Sequence, residues 1–228
     1  MPEPESMAVT VVVVAGGDPP TPQEIGRLPA NPVVVAADAG LDHALAAGLV
    51  PAVAVGDMDS VSPEALAAAE QSGTRIERHP VDKDRTDLEL ALDLAARLAD
   101  RIIVIGAGGG RLDHLIGNLA VLSSPQWSGV NIEAWLGHAQ AVVAHSSRTL
   151  DVDPGTTVSL FALGGPARVT TTGLAWPLKN EVLDPLTSRG VSNRATIPAP
   201  QVSVHEGVVL AVIPSGSGGV YCGLEEMC

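Results

Sequence analysis

Short β-branched runs alternate with alanine- and leucine-rich helical stretches over the first two-thirds of the sequence. Val9 to Val14 reads as a buried strand ended by Gly16 and Gly17. Val33 to Ala36 is the next strand, with a helix over Leu41 to Ala47. Ala52 to Val55 gives a third strand, and Pro63 to Gln71 a helix with proline in its first turn. A helix over Leu88 to Ala99, a strand at Arg101 to Ile105 and a helix near Leu112 to Leu122 complete the series. Strands separated by such helices need crossover connections, so this part is expected to be a doubly wound, mostly parallel α/β domain.

The pattern changes after about residue 145. Thr157 to Ala162, Arg168 to Thr172 and Gly207 to Ile213 are short strand-like runs separated by Gly/Pro turns. They predict a smaller all-β domain, a sandwich or barrel, with the boundary near Ser146 and Ser147. A chain of 228 residues has room for two such domains without disulfide staples. Cys222 and Cys228 stand near the C-terminus with no metal-ligand spacing, which fits unpaired thiols in a reducing compartment. Val9 to Val14 is too short for a signal segment and no run reaches membrane-helix length, so the expected location is cytoplasmic. A net charge of −13 argues against nucleic acid or an anionic membrane as partner.

The acidic residues are unevenly placed: ten of the fourteen aspartates fall between Asp38 and Asp113. Gly56-Asp57-Met58-Asp59-Ser60 directly follows a strand, where open α/β sheets bind ligands. In an extended chain Asp57 and Asp59 would share one face about 7 Å apart, able to hold a hard divalent cation. Asp82-Lys83-Asp84-Arg85-Thr86-Asp87 precedes a helix, with Thr86 and Glu89 spaced as a capping box. Capping does not account for Lys83, one of only two lysines, among Asp84 and Asp87. Gly106 to Gly110, followed by Arg111, Asp113 and His114, is a glycine turn at a helix start, suited to an anion. It is neither a Walker A loop nor a dinucleotide fingerprint, since no Gly-Lys-Ser/Thr follows and Arg111 takes the third glycine's place. Carboxylates for metal and cations for phosphate are the parts that phosphoryl-type transfer requires.

With these motifs in hand, the chain resembles the thiamine pyrophosphokinase family. The resemblance rests on GDMDS (Gly56 to Ser60), KDRTDLELAL (Lys83 to Leu92) and GGRLDHLIGNL (Gly109 to Leu119). It continues with VSLFAL (Val158 to Leu163), GLAWPLKN (Gly173 to Asn180) and GVSN (Gly190 to Asn193), all in the family's order. It implies residues 1–146 as an α/β nucleotide- and metal-binding domain and residues 147–228 as a β domain contributing to a thiamine site. The implied reaction is attack of the thiamine hydroxyl on the β-phosphorus of ATP, the co-substrate, with AMP leaving. The implied cofactor is magnesium (Mg2+) held by Asp57, Asp59 and Asp87.

By the same resemblance Lys83 and Asp84 lie beside the polyphosphate, and Arg111 and Asp113 on the nucleotide side with Asp38 and His114. Asp84 or Asp113 would take the hydroxyl proton. Trp176 would stack on the thiamine cation, an attraction of ~0.5–2 kcal/mol, with Ser192 and Asn193 as polar contacts. The family implies a homodimer with the active site at the interface. Ala39 departs from the family's usual glycine, and nothing after Ile213 matches it. A metal-dependent phosphohydrolase, a related enzyme using another hydroxyl acceptor or nucleotide, and a non-catalytic sensor are the rival readings. Trp127, Trp135 and Phe161 read as packing residues.

Overall fold

The computed structural model describes residues 9–214; Tyr221, Cys222, Cys228 and the Ser215 to Gly219 stretch lie outside the described residues. The chain divides into two units, residues 1–137 and residues 138–228.

In the first unit the valine-rich runs become strands β1 (Thr10–Val14), β2 (Val33–Ala37), β3 (Val53–Gly56), β4 (Arg75–Arg78), β5 (Arg101–Ile105) and β6 (Asn131–Trp135). Every pairing among them is parallel, in the order β6-β5-β1-β2-β3-β4. Helices α1 (Pro22–Arg27), α2 (Gly40–Ala46), α3 (Pro63–Gln71), α4 (Asp87–Ala96) and α5 (Leu112–Leu122) make the crossovers. Val12, Val14, Val34 and Ile103 pack with Ala44 and, beside them, Ala36 and Ala54 pack with Leu41, Ala65 and Ala69. The opposite face is met by α4, whose Leu88, Ala91, Leu92 and Ala95 are buried. Strands covered on both faces read as unbroken apolar runs, and Val11 to Val14 are fully buried. The chain winds from β1 towards β4 and then returns to the other side of β1. The strand order therefore reverses between β1 and β5, the place where ligands bind at the C-terminal strand ends.

Two elements of this unit carry no clear sequence signal. The β4 segment is Arg-Ile-Glu-Arg, an edge strand with one apolar residue. Among prolines, α1 is set by a full capping box in which Thr21 and Glu24 bond reciprocally. The capping box expected at α4 is only half made. Thr86 accepts the Glu89 N–H, but the Glu89 carboxylate pairs with Arg85 at 3.1 Å.

The second unit holds β7 (Ala139–Ala144), β8 (Ser147–Thr149), β9 (Thr157–Ala162), β10 (Ala167–Thr172), β11 (Glu181–Leu183), β12 (Asn193–Arg194), β13 (Gln201–Glu206) and β14 (Val209–Pro214). They form two antiparallel sheets, β12-β9-β14-β7 and β11-β10-β13-β8, so of the two expected architectures the unit is a sandwich. Its core is built mainly from small aliphatic side chains such as Val142, Val158, Leu160, Val169, Val202 and Ala211. The division falls before β7, earlier than Ser146 and Ser147, because β7 pairs along its whole length with β14. Trp127 and Trp135 are buried, Trp135 under the Arg27 guanidinium at 4.8 Å, whereas Phe161 is only partly covered.

Candidate functional site

The segments after β1, β2 and β5 line one cavity of about 710 Å³, with residues from the loop before α4 and from α4 and α5 themselves. Glycines shape its floor. Gly17 N–H donates to Gly106 O (2.7 Å) and Asp18 N–H to Gly108 O (2.8 Å), so the loops after β1 and β5 run against each other. A Cβ on Gly17 would lie 2.3 Å from Gly108 O, and one on Gly106 2.5 Å from Ala15 O. These glycines are thus required by backbone meeting backbone, where the sequence reads Gly17 as a strand end and Gly106 as part of an anion cradle. Asp18 lies over Gly109, and Asn118 on α5 donates to Ala107 O at 3.0 Å. Both line the cavity, and neither stood out in the sequence.

Beside the floor stands the acidic group. Asp38, Asp57 and Asp59 each offer a carboxylate oxygen, all within 4.8 Å of one another. The chain between Asp57 and Asp59 is not extended. Met58 has φ +66°, its side chain is buried, and its N–H donates to Asp38 Oδ1 at 3.1 Å. That left-handed turn, with Asp59 N–H on Asp57 Oδ1 at 3.2 Å, draws the two carboxylates towards Asp38 on the adjacent strand end. The acidic triple thus contains Asp38 in place of Asp87, because β2 and β3 are neighbours in the sheet. Asp38, expected on the nucleotide side, could have been grouped with the metal candidates by applying the strand-end argument to β2 as well as to β3.

Lys83 Nζ bonds Asp57 Oδ2 at 2.7 Å and stands 3.3 Å from Asp87 Oδ1. Asp87 Oδ1 is buried without a hydrogen bond, and it lies where a Cβ on Gly56 would come within 3.1 Å. Burial, with help from neighbouring carboxylates, raises the carboxyls of Asp38 and Asp87 above the ordinary range. The Lys83 hydrogen bond holds Asp57 below it, and Lys83 is raised in return. Asp38, Asp57 and Asp87 are partly buried and Asp59 exposed, and an all-carboxylate set of this kind fits a hard divalent cation with oxygen ligands such as magnesium.

Arg111, Asp113 and His114 line the cavity at the start of α5. Arg111 and Asp113 are exposed and bonded to each other (2.6 and 3.2 Å), which lowers the Asp113 carboxyl to about 2. Asp84 is exposed and outside the cavity lining. Neither candidate for the proton acceptor therefore has a free carboxylate facing the cavity.

In the second unit the structure brings Trp176 and Asn193 together. Residues 173–176 run beside residues 193–196 through a Leu174–Ala195 bridge and Ala175 N–H on Arg194 O (2.9 Å). Trp176 is 55% exposed, the only tryptophan among the three not packed in a core. Asn193 is buried and bonds both backbone groups of Trp176. Ser192 has φ +56° with its N–H on Ser159 Oγ at 3.0 Å. Gly190 abuts β9, where a Cβ would meet Leu160 O at 2.2 Å. Arg189, which carried no signal in the sequence, grips Glu181 with two nitrogens.

Comparison with known proteins matches both parts of the chain to one family. A family model described as "Thiamin pyrophosphokinase, catalytic domain" matches residues 27–134, and one described as "Thiamin pyrophosphokinase, vitamin B1 binding domain" matches residues 147–209. The Thiamine pyrophosphokinase of Bacillus subtilis (strain 168) is 35% identical over 115 residues, 50% of this chain and 54% of that protein. The chain spans about half the length of the curated relatives it matches. A crystal structure of Thiamine pyrophosphokinase from Bacillus subtilis has a TM-score of 0.78 at 25% identity, over 90% of this chain and 99% of that one. One from Geobacillus thermodenitrificans has a TM-score of 0.76 at 28% identity, over 93% and 100%. With both family models matched in order, the chain belongs to the thiamin pyrophosphokinase family.

Proposed function

We propose that the protein transfers the pyrophosphoryl group of ATP to the hydroxyl of thiamine, giving thiamine diphosphate and AMP. The observation that carries this reading is the gathering of Asp38, Asp57 and Asp59 with Asp87 and Lys83 beside one glycine-floored cavity at the sheet's switch point. Asp38, Asp57 and Asp59 would hold magnesium, with Asp87 alongside. When bound, magnesium supplies positive charge to the polyphosphate and so lowers the cost of bringing it among carboxylates. Lys83, now bonded to Asp57, is the cation within reach of a phosphoryl group passing through the site. Arg111 is a second, and can exchange Asp113 for phosphate oxygens.

Phosphoryl-type transfer runs through a loose transition state in which positioning and charge neutralisation dominate over base catalysis. This suits a site whose acids are placed for metal more than for proton transfer. The reaction breaks the bond between the β-phosphorus and the oxygen that bridges it to the α-phosphorus, and forms one from the thiamine oxygen to that β-phosphorus. The hydroxyl proton passes to solvent or a carboxylate, and the pair of electrons leaves with AMP.

On the same reading Trp176 offers its exposed face to the thiamine cation, as the resemblance suggests, with Ser192 as a polar contact and Asn193 bonded to the backbone of the tryptophan. The working form is a homodimer with the active site at the interface, in the cytoplasm; among the described residues no helix is long and apolar enough to cross a membrane. The test is incubation with ATP, magnesium and thiamine, followed by identification of products. AMP with thiamine diphosphate supports the reading. Nucleotide cleavage that proceeds equally without thiamine would identify a phosphohydrolase, and binding without turnover a sensor.

A further inference from the structure

The loop that presents Trp176, residues 173–180, lies outside both sheets of its unit yet is tied down by side chains from elsewhere. Asn193 is 3% exposed. Its Oδ1 accepts the Trp176 N–H (3.1 Å) and the Arg194 N–H (2.8 Å), and its Nδ2 donates to Trp176 O (2.7 Å). One primary amide thus does what a neighbouring strand would do, and takes both backbone groups of the tryptophan. An amide oxygen accepts about two bonds and the nitrogen donates two, so a single N–H remains for anything else.

A second tie comes from Arg189. Its Nε and Nη2 bond the two Glu181 oxygens (2.8 and 3.1 Å), and Nη2 reaches Pro177 O at 3.4 Å, one residue beyond the tryptophan. Further along, Leu178 N–H donates to Thr171 Oγ1 (2.9 Å) and Asn180 N–H to Thr170 Oγ1 (3.2 Å). Such effort spent on the backbone of a loop contrasts with its side chain, which is left half in solvent.

We infer that Asn193 and Arg189 are positioning residues that hold Trp176 in one orientation before a flat organic cation arrives, and that Asn193 acts through Trp176 rather than by touching that ligand. The inference deepens the proposed function and rests on it for the identity of the cation, thiamine. An aromatic face attracts a cation only when the cation lies over the ring. A loop that samples other orientations binds in proportion to the time spent in the competent one. Ordering the loop in advance removes that loss.

The experiment is a double-mutant cycle on the full chain, measuring kcat and KM for thiamine and for ATP. In the presence of Trp176, Asn193→Ala is expected to raise KM for thiamine about tenfold, with KM for ATP and kcat within about twofold. In the Trp176→Ala background the same substitution is expected to change KM for thiamine by no more than about twofold. An undiminished rise in that background would mean direct contact and overturn the inference. Equal changes in KM for thiamine and ATP would mean general disruption and also overturn it.

Arg189→Gln, at a partly exposed residue, covers the case in which Asn193→Ala does not fold. It should show the same pattern at about threefold, and Arg189→Lys should recover little, since lysine cannot form the two-nitrogen grip. A wild-type protein that makes no thiamine diphosphate removes the proposed reaction, not the brace. The brace is then read from the fluorine resonance of Trp176 in 5-fluorotryptophan-labelled protein. Broadening or shift of that resonance alone in Asn193→Ala supports it, and an unchanged spectrum overturns it.

Discussion

The two candidate sites are built on opposite principles. In the α/β unit the chemistry sits at the ends of buried parallel strands, and the charged side chains are held by one another: Lys83 between Asp57 and Asp87, and Asp38 against the Met58 N–H. In the β unit one exposed aromatic is held through its backbone by neutral and peripheral groups. The first arrangement stores unfavourable charge that a cation can relieve, since burial raises Asp38 and Asp87. The second uses its ion pair, Arg189–Glu181, only to fix geometry. Losses in the first site should therefore appear in turnover, and losses in the second in the affinity for one substrate.

The largest expected effect breaks this division if it fails. Asp57→Asn keeps the shape of the loop while removing the charge that Lys83 and a magnesium ion both use. Turnover should fall by about 10³-fold or more even at saturating magnesium, measured as thiamine diphosphate formed per minute. Near-normal turnover would remove Asp57 from the metal group.

Lys83→Met should lower kcat by about 10²–10³-fold while leaving KM for thiamine within a few-fold, because its ammonium stands among the carboxylates of the α/β unit. A thiamine-specific KM effect would contradict the separation of roles. Gly17→Ala tests the cavity floor. Its Cβ would meet Gly108 O, a backbone atom that cannot swing away, so a loss of about 1–3 kcal/mol in denaturant unfolding is expected, with weaker ATP binding.

In the β unit Trp176→Ala should raise KM for thiamine by about 3- to 30-fold, the worth of a cation over an indole, without changing KM for ATP. The smallest expected effect is a pH dependence. His145 is partly buried, its Nε2 has no hydrogen-bond partner, and burial lowers its pKa from 6.5. Below 6.5 the unfolded chain takes up a proton that the folded one resists. Its contribution is thus intact above that pH and is lost as pH falls towards the depressed value. His145→Gln should flatten the stability profile on the acid side of that range in thermal melts; an unchanged profile would dismiss the histidine.

How much of this was readable in the sequence follows the same division. Central strands β1, β2, β3 and β5 are visible because burial on both faces selects continuous β-branched runs. The edge strand β4 is not, because Arg75, Glu77 and Arg78 leave it looking like surface. In the site, the residues that carry charge in short motifs (Asp57, Asp59, Lys83, Asp87, Arg111) are legible as chemistry. Their grouping is not. Asp38 joins Asp57 and Asp59 only because β2 lies beside β3, and Asp18 meets Gly109 only because β1 lies beside β5. Pairing across a sheet is a long-range fact that no local pattern encodes. Asp84 shows the converse, a motif residue that stays exposed and away from the cavity lining. Trp176 was legible through the family resemblance, whereas Arg189 became meaningful only once Glu181 and Pro177 were seen around it.

The central claim is that two phosphorus atoms move together. The direct measurement uses ATP labelled at its β-phosphorus, supplied with magnesium and thiamine, with products resolved by their phosphorus label. Expected is label in thiamine diphosphate, equimolar with unlabelled AMP and dependent on thiamine. Label remaining in ADP beside thiamine monophosphate, or released as pyrophosphate or phosphate at the same rate without thiamine, would contradict it.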